Sequence, residues 1–183
     1  KEETVGVFAP FIKQIRDSCH TTYKQFNIGF SYTEAGKDKV VGYEIRGFGS
    51  FKSKAAGTNS TTGAWIADLS RGGNPADIRN VYFAESAYDI MAFYQLNHLR
   101  LDAAHSVFVS LGGTFSDGQV KGIMSHYPEA KAMDCLHLVV CATSGGATIH
   151  RWTICFTDMW RTIFSITTPM TSLRPTSIRC LTK

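Results

Sequence analysis

Apolar positions along this chain follow two different rhythms. In the first, Ile28, Phe30 and Tyr32 alternate with small or polar neighbours, "EAGKDK" interrupts, and "VVGYEIRG" alternates again. A period of two marks strands with one buried face, and the Gly/Asp/Lys break between them is turn chemistry, so the pair reads as a β-hairpin. "FKSK" predicts a further strand, "AAGTNSTTG" a polar loop, and "AWIADL" a strand through Trp65 and Ile66, followed by the loop "SRGGNPADI". Ahead of the hairpin, apolar residues over 8–26 recur near helical spacing and predict a helix, broken or preceded by Pro10. Residues 1–80 therefore read as an N-terminal helix and an antiparallel β-unit.

From Val81 the rhythm changes. "VYFA" is a buried strand and 87–99 a helix; "SVFVSL" is a second strand, and "GGTFSDG" leads into a helix over 116–126 with Ser116 or Asp117 as N-cap. Pro128 stops that helix, and "AKAMD" is a short third strand. Strand, helix, strand, helix, strand implies a parallel sheet with right-handed crossovers. The expected fold class is α/β: a central parallel sheet flanked by helices in 81–183, with the N-terminal helix and β-unit attached. Ligands of such sheets bind at the carboxyl ends of the strands. Glu85, Gly112, Gly113 and Asp134 all fall at those ends.

Composition narrows the classes. With 44% hydrophobic and 19% charged residues among 183, the chain is an ordinary globular one, long enough for a sizeable core. No apolar run reaches the roughly 18 residues of a membrane span. The net charge of +4 permits a polyanionic partner without demanding one. The five cysteines form no CxxC pair and no zinc spacing, which reads as reduced thiols in the cytoplasm.

"FAESAYDIM", then "VSLGGTFSDGQV", then a strand ending in an acid, resembles the Toprim domain. That is the catalytic core of bacterial primases, type IA and type II topoisomerases and several nucleases. The resemblance covers about 81–134, and the first part of the chain is similar to Toprim-bearing proteins of bacterial mobile elements. It implies a magnesium-dependent (or manganese-dependent) phosphoryl- or nucleotidyl-transfer protein acting on DNA in replication or mobilisation, alongside proteins of those processes. It assigns Glu85 as general acid/base or metal ligand, with Asp89 one helical turn on to support it. Gly112 and Gly113 would let a phosphate approach the backbone, and the amides opening the next helix would hold it. Asp134 would join Glu85 at the metal. Magnesium suits this role because it takes hard oxygen ligands and keeps several waters.

The third Toprim motif, an Asp-x-Asp pair after the third strand, is not matched. After "AKAMD" the chain reads "CLHLVVCATSGG", with His137 and Val139 where the acids belong, and the next acid is Asp158. Residues 135–183 are thus either a divergent tail or one whose reading frame has changed. Alternatives therefore stand beside the enzyme reading: a catalytically degenerate Toprim module that binds nucleic acid or a replication partner, and an unrelated α/β protein taking a phosphate ligand at the Gly112-Gly113 turn. Arg46, Lys52 and Lys54, interleaved with Tyr43, Phe48 and Phe51, are a candidate nucleic-acid surface, cations to phosphates and rings to bases. The plainer account of those residues is a solvated β-face. For Glu85 it is an acid favouring a helix N-terminus by about 0.3–1 kcal/mol.

Overall fold

The computed structural model describes residues 2–16, 26–47, 50–70 and 72–135. They form an α/β fold of three helices and one eight-stranded mixed sheet. The strands are β1 (Ile12–Arg16), β2 (Phe26–Thr33), β3 (Val40–Arg46), β4 (Lys52–Lys54), β5 (Ala64–Asp68), β6 (Asn80–Ala84), β7 (Ser106–Ser110) and β8 (Lys131–Asp134). The helices are α1 (Glu2–Phe8), α2 (Ala87–Asn97) and α3 (Asp117–His126). The sheet order is β4-β3-β2-β5-β7-β6-β8, with β1 pairing β2 off that path.

The hairpin expected over 28–46 is present, with Gly36 at φ 73° in its turn. So are the strands at "FKSK" and "AWIAD", and the strand–helix alternation from Asn80 onward. Two expectations need correction. The helix expected over 8–26 is not formed: α1 ends at Phe8, a 3-10 turn holds Ala9–Phe11, and the chain extends as β1. Pro10 cannot carry the helix on, because it lacks an amide hydrogen and crowds the preceding turn. β-Branched Ile12 and Ile15 then pair with Phe30 and Asn27 of β2. Residues 17–25 lie outside the described residues.

The second correction concerns the sheet, which is mostly antiparallel. β6 pairs in parallel with β7 and with β8, as the βαβ rhythm predicts. The other pairings are antiparallel. β5 pairs Ala64 and Trp65 with β2, and Trp65 to Asp68 with β7, so the N-terminal β-unit and the parallel strands share one sheet. Hydrophobic periodicity could not foresee this, since which strand edges meet is a long-range matter.

Each face of the sheet carries its own core. On one, Phe8, Phe30, Tyr32, Trp65, Tyr82 and Phe108 pack with Ile90 and Phe93 of α2. On the other, Val81, Phe83, Val107 and Val109 meet Val120 and Ile123 of α3. β7 is buried at every position, which is why its middle, Val107 to Val109, is apolar on both faces. Both longer helices open with a capping box, Ser86 with Asp89 and Ser116 with Gln119, which satisfies amides that have no partner within a helix. None of the helices is long and apolar enough to cross a membrane among the described residues.

Phe108 joins the first core: its ring stacks on Tyr82 at 5.1 Å and meets Phe8 and Tyr94 edge-on at 5.8 and 5.6 Å. Phe108→Ala should cost about 3–5 kcal/mol, read as a lowered urea midpoint with an unchanged slope.

Candidate nucleic-acid interface

Strand registry places the cationic residues before any side-chain contact is considered. Glu44 of β3 lies opposite Lys54 of β4, and Arg46 opposite Lys52. Residues two apart on a strand share a face, so these four side chains share one. Glu44 and Arg46 also lie opposite Phe30 and Ile28 of β2, which puts the charged row beside the first core. Tyr43, expected to interleave with Arg46, alternates to the opposite face. The ring beside Arg46 is that of Tyr88 on α2, with the guanidinium carbon 5.3 Å from its centroid. Phe48 lies outside the described residues, and Phe51 is half exposed.

The sheet then bends, although its strand order stays open. β3 is three steps from β7 in the strand order, about 14 Å in a flat sheet. Yet Ser110 Oγ at the end of β7 donates to Glu44 Oε2 at 3.1 Å. The antiparallel arm must curl toward the carboxyl ends of the parallel strands. The result is one pocket of about 210 Å³, which Arg46, Lys52, Ser53 and Lys54 line from the arm. Glu85, Ser86, Gly112 and Gly113 line it from the strand ends, and Glu44 completes it. Two groups of residues found separately in the sequence, the basic stretch and the strand-exit acid with its glycines, thus face one another.

Glu44 is the residue that sequence reading missed. It is a carboxylate only 4% exposed, and a buried charge is retained where it is paired. Its Oε1 accepts from Arg46 Nε at 2.9 Å and Nη2 at 2.6 Å, and its Oε2 takes the Ser110 bond. Arg46 is itself 17% exposed, so the pair is screened little. Lys54 donates from Nζ to Ser60 Oγ at 3.0 Å and lies 5.8 Å from the Tyr32 ring centroid. Burial pulls the Lys54 ammonium below its ordinary pKa, and the Glu44 charge partly restores it. The Tyr32 hydroxyl is buried and has no hydrogen-bond partner among the described residues. Burial raises its pKa, and Glu44 raises it further.

The remaining predicted site residues divide. Glu85 lines the pocket, at the turn between β6 and α2. Asp89 is not among the lining residues: its Oδ2 accepts from Ser86 N at 3.1 Å and Ser86 Oγ at 2.7 Å. Its place is in the cap that orients the start of α2. Gly112 and Gly113 lie at the rim, but their amides both donate to the Glu85 carbonyl, at 2.8 and 3.0 Å. They shape the pocket and pin Glu85; they are not spare donors for a phosphate. The start of α3, expected to hold that phosphate, abuts the Thr61 carbonyl, which accepts from Ser116 Oγ. Asp134 ends β8 opposite Phe83 of β6. His137, Val139 and Asp158 lie outside the described residues, as does the rest of the tail after Cys135.

Whether these residues suit a magnesium ion follows from the donors. Among the described residues no three His, Cys, Asp or Glu side chains are grouped to hold a metal. Both Glu44 oxygens are engaged. That leaves Glu85 as the pocket carboxylate for a metal, which suits an ion held jointly with a ligand phosphate rather than a closed protein cage.

Fold and site together define an α/β protein with a cation-lined pocket at the carboxyl ends of two parallel strands. No match to this chain was found among protein-family models, curated proteins or solved structures.

Gly112 sits at φ 71°, and a Cβ there would run into the Tyr32 hydroxyl. Gly113 sits at φ 99° with open space around it. Gly113→Ala should cost about 1–3 kcal/mol for the backbone alone, and Gly112→Ala more. Measured against Tyr32→Phe alone, which deletes an unpartnered buried hydroxyl, Gly112→Ala should cost less than it does in the native background, and Gly113→Ala should cost the same. Urea denaturation of Tyr32→Phe, the two glycine variants and the two double variants measures both.

Proposed function

We propose that this protein is a Toprim-type module that binds the phosphodiester backbone of a nucleic acid, DNA in the first instance, in the pocket between the β3–β4 arm and the Glu85 rim. The observation that carries the reading is the convergence of Arg46, Lys52 and Lys54 with Glu85 on one pocket. Cations fixed on strands recognise phosphate by charge and hydrogen bonding. Arg46 is pre-oriented by Glu44, so little freedom is lost on binding. The parallel trio in the order β7-β6-β8, with an acid after its first strand and a Gly pair after its second, also fits the Toprim resemblance.

Binding is the core of this reading, and phosphoryl transfer is its extension. Glu85 would hold magnesium together with the bound phosphate, and the ion would supply charge neutralisation at the phosphoryl group. A small phosphate ligand seated on the Gly112-Gly113 turn is disfavoured, because both amides are already spent on Glu85.

Fluorescence anisotropy with a labelled single-stranded oligonucleotide tests the reading. Saturable, salt-sensitive binding is expected. Lys52→Ala and Lys54→Met should each weaken it by about tenfold and lower the slope of log K against log salt by about 0.7. Binding that ignores both substitutions would sink the assignment. Manganese titration by calorimetry then separates the extension: affinity should appear with the oligonucleotide present and vanish in Glu85→Gln.

The Lys54 shift gives a pH dependence. A phosphate favours the protonated ammonium, so affinity is full below the lowered pKa of Lys54 and falls as pH rises through it. Lys54→Met should flatten that fall while leaving the salt-dependent contribution of Arg46 and Lys52.

A further inference from the structure

The pocket carries Arg46, Lys52 and Lys54 against Glu44 and Glu85. Three formal positive charges against two negative ones leave one net positive charge. That balance matches one internal phosphodiester, which carries one negative charge, and not a terminal phosphate monoester, which approaches two. Glu44 holds this balance. It is nearly buried, both its oxygens are engaged, and it sits between Arg46 on its own strand and Ser110 on β7. Its charge therefore acts on the pocket with little solvent screening, whereas Glu85 is partly exposed at the rim.

We propose that Glu44 is the specificity-determining residue of this pocket, setting its charge so that it selects internal phosphodiesters over terminal phosphate groups. Arg46 could be oriented by a neutral acceptor, and a carboxylate is the costlier choice at a buried position. What the carboxylate adds beyond an acceptor is its charge, which halves the net positive charge that a second negative charge on the ligand meets. The inference rests on the nucleic-acid reading above and goes beyond it by naming the part of the polymer that is taken.

The test compares one short oligothymidylate with and without a 5′-terminal phosphate, by competition anisotropy in EDTA so that no divalent cation alters the balance. The native protein should bind the two within about twofold of each other. In Glu44→Gln, which keeps an acceptor for Arg46 and a polar partner for Ser110, preference for the 5′-phosphorylated strand should rise by about fivefold or more. Glu44→Asp, which keeps the charge, should restore the native ratio; a residue serving the fold alone would not distinguish Asp from Gln in this way. An unchanged ratio in Glu44→Gln overturns the proposal, as does a strong native preference for the phosphorylated end. Failure of the native protein to bind either strand would instead overturn the nucleic-acid reading. Circular dichroism of each variant guards against misfolding, and should Glu44→Gln fail to fold, Lys52→Met, at an exposed position of β4, removes one cation of the pocket by a separate route. That variant should lower the relative affinity for the phosphorylated end, and no change there would count against the proposal.

Discussion

The Glu44 carboxylate is the point on which the site depends. An acid at this depth is tolerated because Arg46 and Ser110 satisfy it, and each partner belongs to a different part of the sheet. Arg46 is on the antiparallel arm, and Ser110 ends β7, the parallel strand that borders β5. Removing either would leave a charge without its compensating bond, which is far more costly than never having buried it. The interaction therefore couples sheet curvature to site assembly: uncurling the arm breaks the Ser110–Glu44 bond, and the pocket takes its lining from both the arm and the strand ends.

Around that point the two cores have different tasks. The aromatic layer of Phe8, Phe30, Trp65, Tyr82 and Phe108 clamps α1, α2 and the middle of the sheet. Trp65 is central to it, donating from its indole nitrogen to the Phe11 carbonyl at 2.8 Å while its strand pairs with both β2 and β7. The aliphatic layer under α3 makes the parallel strands rigid. Rigid strands with short exits hold Glu85, Gly112 and Gly113 in fixed relation, and the Glu85 carbonyl receiving two glycine amides tightens that further. Pre-organisation of this kind reduces the entropy lost when a ligand binds.

How far the site was legible in the sequence differs residue by residue. Glu85, Gly112 and Gly113 were found because strand exits in a βαβ run converge, a rule that depends on local pattern alone. Arg46, Lys52 and Lys54 were found as a basic stretch, but nothing local said that they face Glu85. Glu44 was passed over because, in "VVGYEIRG", it looks like the polar half of an alternating strand, destined for solvent. The Toprim resemblance gives Asp89 a chemical role beside Glu85, whereas Ser86 three residues before it makes Asp89 half of a capping box. The two readings share one pattern, and hydrogen-bond geometry separates them.

The sequence by itself determined the elements from the hairpin onward: alternation set the hairpin strands, Pro and Gly set the breaks, and Ser116 set the start of α3. It also determined the parallel character of β6, β7 and β8, since helices between strands oblige a crossover. The tertiary structure alone decided that β5 stitches the two halves into one sheet and that the arm curls. It likewise decided that Tyr88 rather than Tyr43 backs Arg46, and that the acid deepest in the pocket is Glu44. The physical reason is range. Propensity, capping and turn chemistry act over a few residues, and sequence displays them directly. Edge pairing, sheet curvature and the burial of a charge depend on groups tens of residues apart, which meet only once the cores have formed.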